Sequence, residues 1–166
     1  AYLTQKGHKI GKLAKLSREE LARLAEDTIQ NNPGEQHEDQ IVKAILQFDS
    51  GAIEEEIYRS MEKEGAYETF LSTLLPIAGR LNLLMMAGRI KQAHIGHFFN
   101  VVKKIFISEA AKFPVNRSCD ALHFVLYPFR SSTQYISMAA IECGLRKHQI
   151  KCTELGQECP MEDLSD

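Results

Sequence analysis

Apolar residues recur at helical spacing through most of this chain. At the start, Lys6, Lys9, Lys12, Lys15 and Arg18 fall every three residues, with Ile10, Leu13 and Leu16 between them. That pattern predicts a basic, helical beginning. Ser17 followed by Glu20 has the spacing of a capping box, so a new helix is expected to begin there. Leu21, Leu24 and Ala25 give it one apolar face, and Asn31-Asn32-Pro33-Gly34 breaks the chain.

Four helical segments are expected next. The first runs from about Glu38 to Phe48, with Ile41, Ala44, Ile45 and Phe48 on one stripe. Ser50 or Gly51 punctuates. The second carries Ile53, Ile57 and Met61 inward and Glu54, Glu55 and Glu56 largely outward, and Gly65 ends it. The third, Tyr67 to Ala87, is strongly apolar; Pro76 should kink or split it, and Gly88 should close it. The fourth, Lys91 to Lys112, places His94, Phe98, Val101 and Ile105 at helical spacing. Short connections between amphipathic helices favour an antiparallel four-helix bundle.

After Pro114 the period changes. Ala121 to Tyr127 is a compact apolar run rich in strand formers, a helix from about Thr133 to Lys147 follows, and Ile150 to Leu155 reads as a second strand. Together they make one strand-helix-strand crossover, the opening of a parallel sheet. Two parallel strands leave open edges, so further chain or a partner is expected to cover them. The fold class expected is therefore mostly α: a four-helix bundle followed by a partial α/β, Rossmann-like unit. The boundaries fall at 1–32, 35–114 and 118–166.

Composition adds limits. The 166 residues are 44% apolar and 25% charged, ordinary for a globular protein. A net charge of -2 argues against a protein that coats nucleic acid. No uninterrupted apolar run has membrane length, because Thr73, Pro76, Arg80 and Asn82 break the best candidate. No signal peptide opens the chain, so a cytoplasmic protein is expected. It begins with Ala and is expected to be a fragment. Cys119, Cys143, Cys152 and Cys159 form no C-x-x-C pair, which disfavours a zinc knuckle.

Candidate chemistry is sparse. His94 and His97 lie three apart and share a helical face, and imidazole ligates transition metals and cofactor iron or cobalt. His97 is the candidate metal ligand. Gly96 between them would admit a close approach. Both histidines also read as ordinary packed residues. Met85 and Met86 could pack on a planar ligand or serve as plain core. The loop Pro128 to Gln134 precedes a helix at the carboxyl end of a parallel strand, where such folds bind ligands. Ser132 or Thr133 there could equally be a simple helix cap. The N-terminal lysines could contact phosphates or line a solvated face. No catalytic motif is present, so no enzyme is expected.

The run Gly7-His8-Lys9-Ile10-Gly11-Lys12-Leu13-Ala14-Lys15-Leu16-Ser17-Arg18-Glu19-Glu20-Leu21 resembles the end of the winged-helix DNA-binding domain of MerR-type regulators. Residues 38–112 resemble the helical cap over cobalamin in MerR-type light sensors and methionine synthase. Phe70 to Ile77, Gly88-Arg89-Ile90 and His97-Phe98 carry that likeness. Met85 stands where the family has Trp. His97 fills the family's His position if one residue is inserted, and the preceding Glu is then Gly96. Residues 120–164 resemble the first part of the cobalamin-binding fold, with Leu155 to Pro160 resembling L-G-x-d-x-P. The family's E-x-H-x-x-G falls on Ser132, Gln134 and Ser137, so the lower-ligand His is Gln134 and the nucleotide-tail Gly is Ser137.

The resemblance implies the sensory part of a MerR-type transcription regulator, which pairs with DNA through its winged helix and forms a homo-oligomer. Cobalamin would sit among His94, His97, Met85, Ser132, Gln134 and Ser137. A related family holds haem in the same architecture, and His94 or His97 could serve iron. A third expectation is a cofactor-free interaction module.

Overall fold

The computed structural model describes residues 9–31, 36–114, 122–127 and 134–155. It is mostly helical, with a small two-stranded parallel sheet near the C-terminal end. The order is α1 (Ile10–Leu13), α2 (Arg18–Asn31), α3 (Gln36–Leu46), α4 (Ser50–Glu64), α5 (Ala66–Met86), α6 (Gln92–Ala111), β1 (His123–Leu126), α7 (Gln134–Lys147) and β2 (Lys151–Glu154).

Helix ends follow local chemistry. Ser17 and Glu20 make the reciprocal capping box: Ser17 N–H donates to Glu20 Oε2 at 2.7 Å, and Glu20 N–H donates to Ser17 Oγ at 3.2 Å. Asp49 caps α4 by accepting from Ala52 N–H at 3.0 Å. Gly65, at φ 91°, lies between α4 and α5. Helices α3, α5 and α7 all end in the same hydrogen-bonded hook, in which the left-handed residue follows the last turn. Gly88 fills that place after α5 (φ 71°), but Phe48 (φ 55°) and Gln149 (φ 59°) fill it after α3 and α7. Phe48 is therefore not the inward stripe position expected for it. Helix α3 has already ended at Leu46, and Phe48 is 47% exposed.

Pro76 neither splits nor ends α5. The turn Phe70–Leu74 just before it is π-helical, and Leu75 N–H reaches back to Phe70 O. A proline removes one N–H and crowds the carbonyl four residues earlier; a widened turn absorbs both effects. The core spacing survives, because Phe70, Leu74, Ile77 and Leu81 are all buried. By length and composition alone α5 could cross a membrane, which its interruptions had hidden. Here it is the central helix of the core. Its Arg80 reaches Asp39 of α3 at 2.5 Å.

One continuous core joins α3 (Ile41, Ile45), α4 (Ile53, Ile57), α5, α6 (Phe98, Val102, Phe106) and α7 (Ala139, Ala140, Cys143). A satellite cluster on the back of α5 holds α1 and α2 through Leu83, Ala87, Leu13 and Leu24. The strands pair in parallel with His123 opposite Lys151 and Leu126 opposite Glu154. Phe124 and Cys152 are register partners and so share a face. Cys152 is buried, while Phe124 stays 40% exposed.

Candidate functional site

The candidate histidines sit where three helix ends converge. Lys91, extended at φ -106° and ψ 161°, precedes α6, so His94 is the third residue of the helix. Its Nδ1 lies 3.1 Å from Lys91 N and 3.3 Å from Lys91 O. One tautomer accepts from the Lys91 N–H and carries its proton on Nε2. The other donates Nδ1–H to the Lys91 carbonyl and leaves the Nε2 lone pair available.

Phe48 connects this helix start to the α3–α4 turn. Its ring stacks on His94 with centroids 4.5 Å apart and meets the edge of His97 at 5.4 Å. His97 Nε2 lies 3.4 Å from the hydroxyl of Ser50, the first residue of α4. Both imidazoles are half-buried. Phe48 was not among the expected site residues. The signal for it was a bulky residue three places after Ile45 with no glycine to end α3. Gly96 is exposed, and among the described residues no protein atom would lie within 4 Å of a Cβ there.

Met85 is half-buried against the core, and Met86 is 37% exposed. Ser137 is half-buried on α7. Gln134 opens α7, with its backbone alone described, and Ser132 lies outside the described residues. The loop 128–133, Cys119 and Cys159 also lie outside them. On the N-terminal segment, Lys9, Lys12 and Lys15 are exposed, consistent with a solvated face.

Strand β2 lies near a different side of α6. Lys103 is close enough to β2 that its ammonium offsets part of the rise in the Glu154 carboxyl. Nine residues separate His94 from Lys103, about two and a half turns of helix, so the two project from opposite sides. A second polar cluster lies here. Burial pushes the Glu154 carboxyl up, and the nearby Glu142 adds to the rise. Glu142 is itself paired with Arg146 at 2.6 Å. Burial, then the charge of Glu109, raises the Cys143 thiol; burial, then Glu142, raises Cys152. Both are free and buried, an environment that disfavours the thiolate.

These positions bear on the cofactors that the resemblance implies. Among the described residues, His94 and His97 contact the α3–α4 turn, and position 134 is Gln where the family has its imidazole. The residues do not fit cobalamin. A single imidazole donor to haem iron is chemically available at His94, in the tautomer that donates to Lys91 O. Among the described residues, no group of three or more His, Cys, Asp and Glu side chains could hold a metal ion. No family model, curated protein or solved structure matches this chain.

Proposed function

We propose that this chain is the regulatory part of a MerR-type transcription regulator, with α3 to α6 as a four-helix cap and β1–α7–β2 as the opening of a Rossmann-like, cobalamin-binding-like unit. The observation that supports it most is the N-terminal attachment. The segment resembling the end of a winged-helix domain leads through the Ser17–Glu20 cap into α2, and α2 packs on the back of α5. A shift of α5 would thereby reach a DNA-binding segment without a flexible joint. Self-association is part of the reading, and the half-exposed stripe Tyr67, Leu71 and Leu75 of α5 supports it. Genomic fragments selected by the purified full-length protein are expected to share an inverted repeat. Selection that enriches no common sequence overturns the reading.

A second reading is a haem-responsive module. It is favoured by the position of His94 Nδ1 within reach of both the Lys91 amide and its carbonyl, since a backbone carbonyl accepting the distal N–H is the usual support of a metal-bound imidazole. Haem would supply iron as the site of ligand or redox response. His94 would hold it, and Phe48 would orient the ring. Titration with haemin is expected to give a sharpened visible band that His94→Ala abolishes. An unchanged spectrum rejects this reading and leaves the first in place.

A further inference from the structure

We infer that the face between α6 and the crossover, where a corrinoid would lie by resemblance, is closed in this chain as continuous protein core. This goes beyond the regulatory reading, which does not depend on it.

The packing carries the inference. On α7 the residues Ile136, Ala139, Ala140 and Cys143 recur at i, i+3, i+4 and i+7, one full helical face. All four are buried, Ala139 to 1% and Ala140 to 2%, in the same cluster as Phe98, Val102 and Phe106 of α6. Three of the four are small. Small side chains let two helix backbones come close, and α6 and α7 make close backbone contact along this face. Helix α7 also meets the first turn of α5. The crossover helix thus docks as a further helix of the core rather than as the floor of a cleft.

The chemistry on either side agrees. His94 and His97 face the α3–α4 turn, on the side of α6 away from Lys103 and β2. Charged side chains described on the crossover side include Lys103, Glu109, Glu142, Arg146 and Glu154, with Glu142 paired to Arg146, and the imidazole of His123 on β1 is exposed and engaged with Thr153.

The test uses the whole chain with hydroxocobalamin and methylcobalamin as probes. In molar excess, neither is expected to shift its visible bands or raise the Tm. Ala140→Leu, which keeps helix propensity but adds volume, is expected to lower the Tm by about 3–10 °C. Ile141→Ala, on the exposed side of the same helix, should change it little. A band shift, or an Ala140→Leu protein with unchanged Tm, overturns the inference. If Ala140→Leu does not fold, hydrogen exchange on the unaltered protein decides. Protection of the α7 amides equal to that of α6 supports a shared core. Fast exchange in α7 beside a protected α6 overturns it.

Discussion

Phe48 shows how a single side chain can oppose its own backbone. A bulky residue in the left-handed region costs about 1–2 kcal/mol, and the hook that ends α3 would suit glycine better. What offsets the cost is the ring, stacked on His94 and set against the edge of His97. Aromatic contacts of this kind contribute about 0.5–1.5 kcal/mol beyond burial. Phe48→Ala keeps the strain and loses the ring, so urea denaturation should show a loss of about 1–2 kcal/mol. Phe48→Gly loses both and should lie within about 1 kcal/mol of the parent. Equal effects from the two variants would show that the backbone strain is unimportant. Thr69 is the opposite case. It is fully buried, and its hydroxyl has no hydrogen-bond partner among the described residues. Thr69→Val should therefore raise stability, by about 0.5–1 kcal/mol. Glu154 supplies the pH-dependent residue. Its carboxyl is raised in the folded state, chiefly by burial, so the fold binds that proton more tightly than the unfolded chain does. The penalty is full above the folded pKa and vanishes as pH falls to the unfolded value near about 4.3. Glu154→Gln should raise the Tm slightly at pH 7, by on the order of 1 °C, and the gain should disappear towards pH 4. A gain that persists at pH 4 would assign it to something other than the carboxylate.

At the scale of the elements, caps and periods were legible because they depend on neighbours in sequence. Ser17 and Glu20 capped α2 as expected, Gly65 and Gly88 stopped their helices, and the strand-helix-strand crossover appeared with the expected parallel pairing. The π-helical turn was not legible. A proline announces a disturbance, but whether the helix kinks, breaks or widens depends on what Phe70, Leu74 and Ile77 must reach in the core. The outward reading of three adjacent glutamates was also too simple: Glu54 and Glu56 are half-buried, and Glu56 pairs with Arg59 at 2.6 Å. The candidate site was half legible. His94 and His97 do share a cluster, as their spacing implied. Their partner, Phe48, was missed, because the helix expected to run through it ends two residues earlier, at Leu46. A count of turns puts His94 and Lys103 on opposite sides of α6, but only the structure shows that Lys103 is the one near Glu154 of β2.

For the molecule as a whole, the division into a main core and a satellite cluster sets the order in which parts can loosen. The main core ties α3 to α7 through large side chains buried almost completely, such as Phe98, Phe106 and Ile77. Among the described side chains, the N-terminal helices are held on the other side of α5 by fewer: Leu83 is the buried anchor, with Leu13, Leu24 and Ala87 only partly covered. Local opening follows the number of buried apolar contacts, so α1 and α2 should detach from α5 well before the rest unfolds. Leu24→Ala removes one of these few contacts. Half-buried, it should cost about 1–2 kcal/mol, less than a core truncation. The cost should appear locally. Hydrogen exchange is expected to accelerate by about tenfold in α2, the factor equivalent to about 1.4 kcal/mol, while the α6 amides keep their parent rates. Ser17→Ala should act in the same place, because it removes the cap from which α2 starts. If either change speeds exchange in α6 as much as in α2, the two clusters are one cooperative unit. The N-terminal segment could then not move independently of the helical core, and any regulatory signal would have to pass through global rearrangement instead of through this seam.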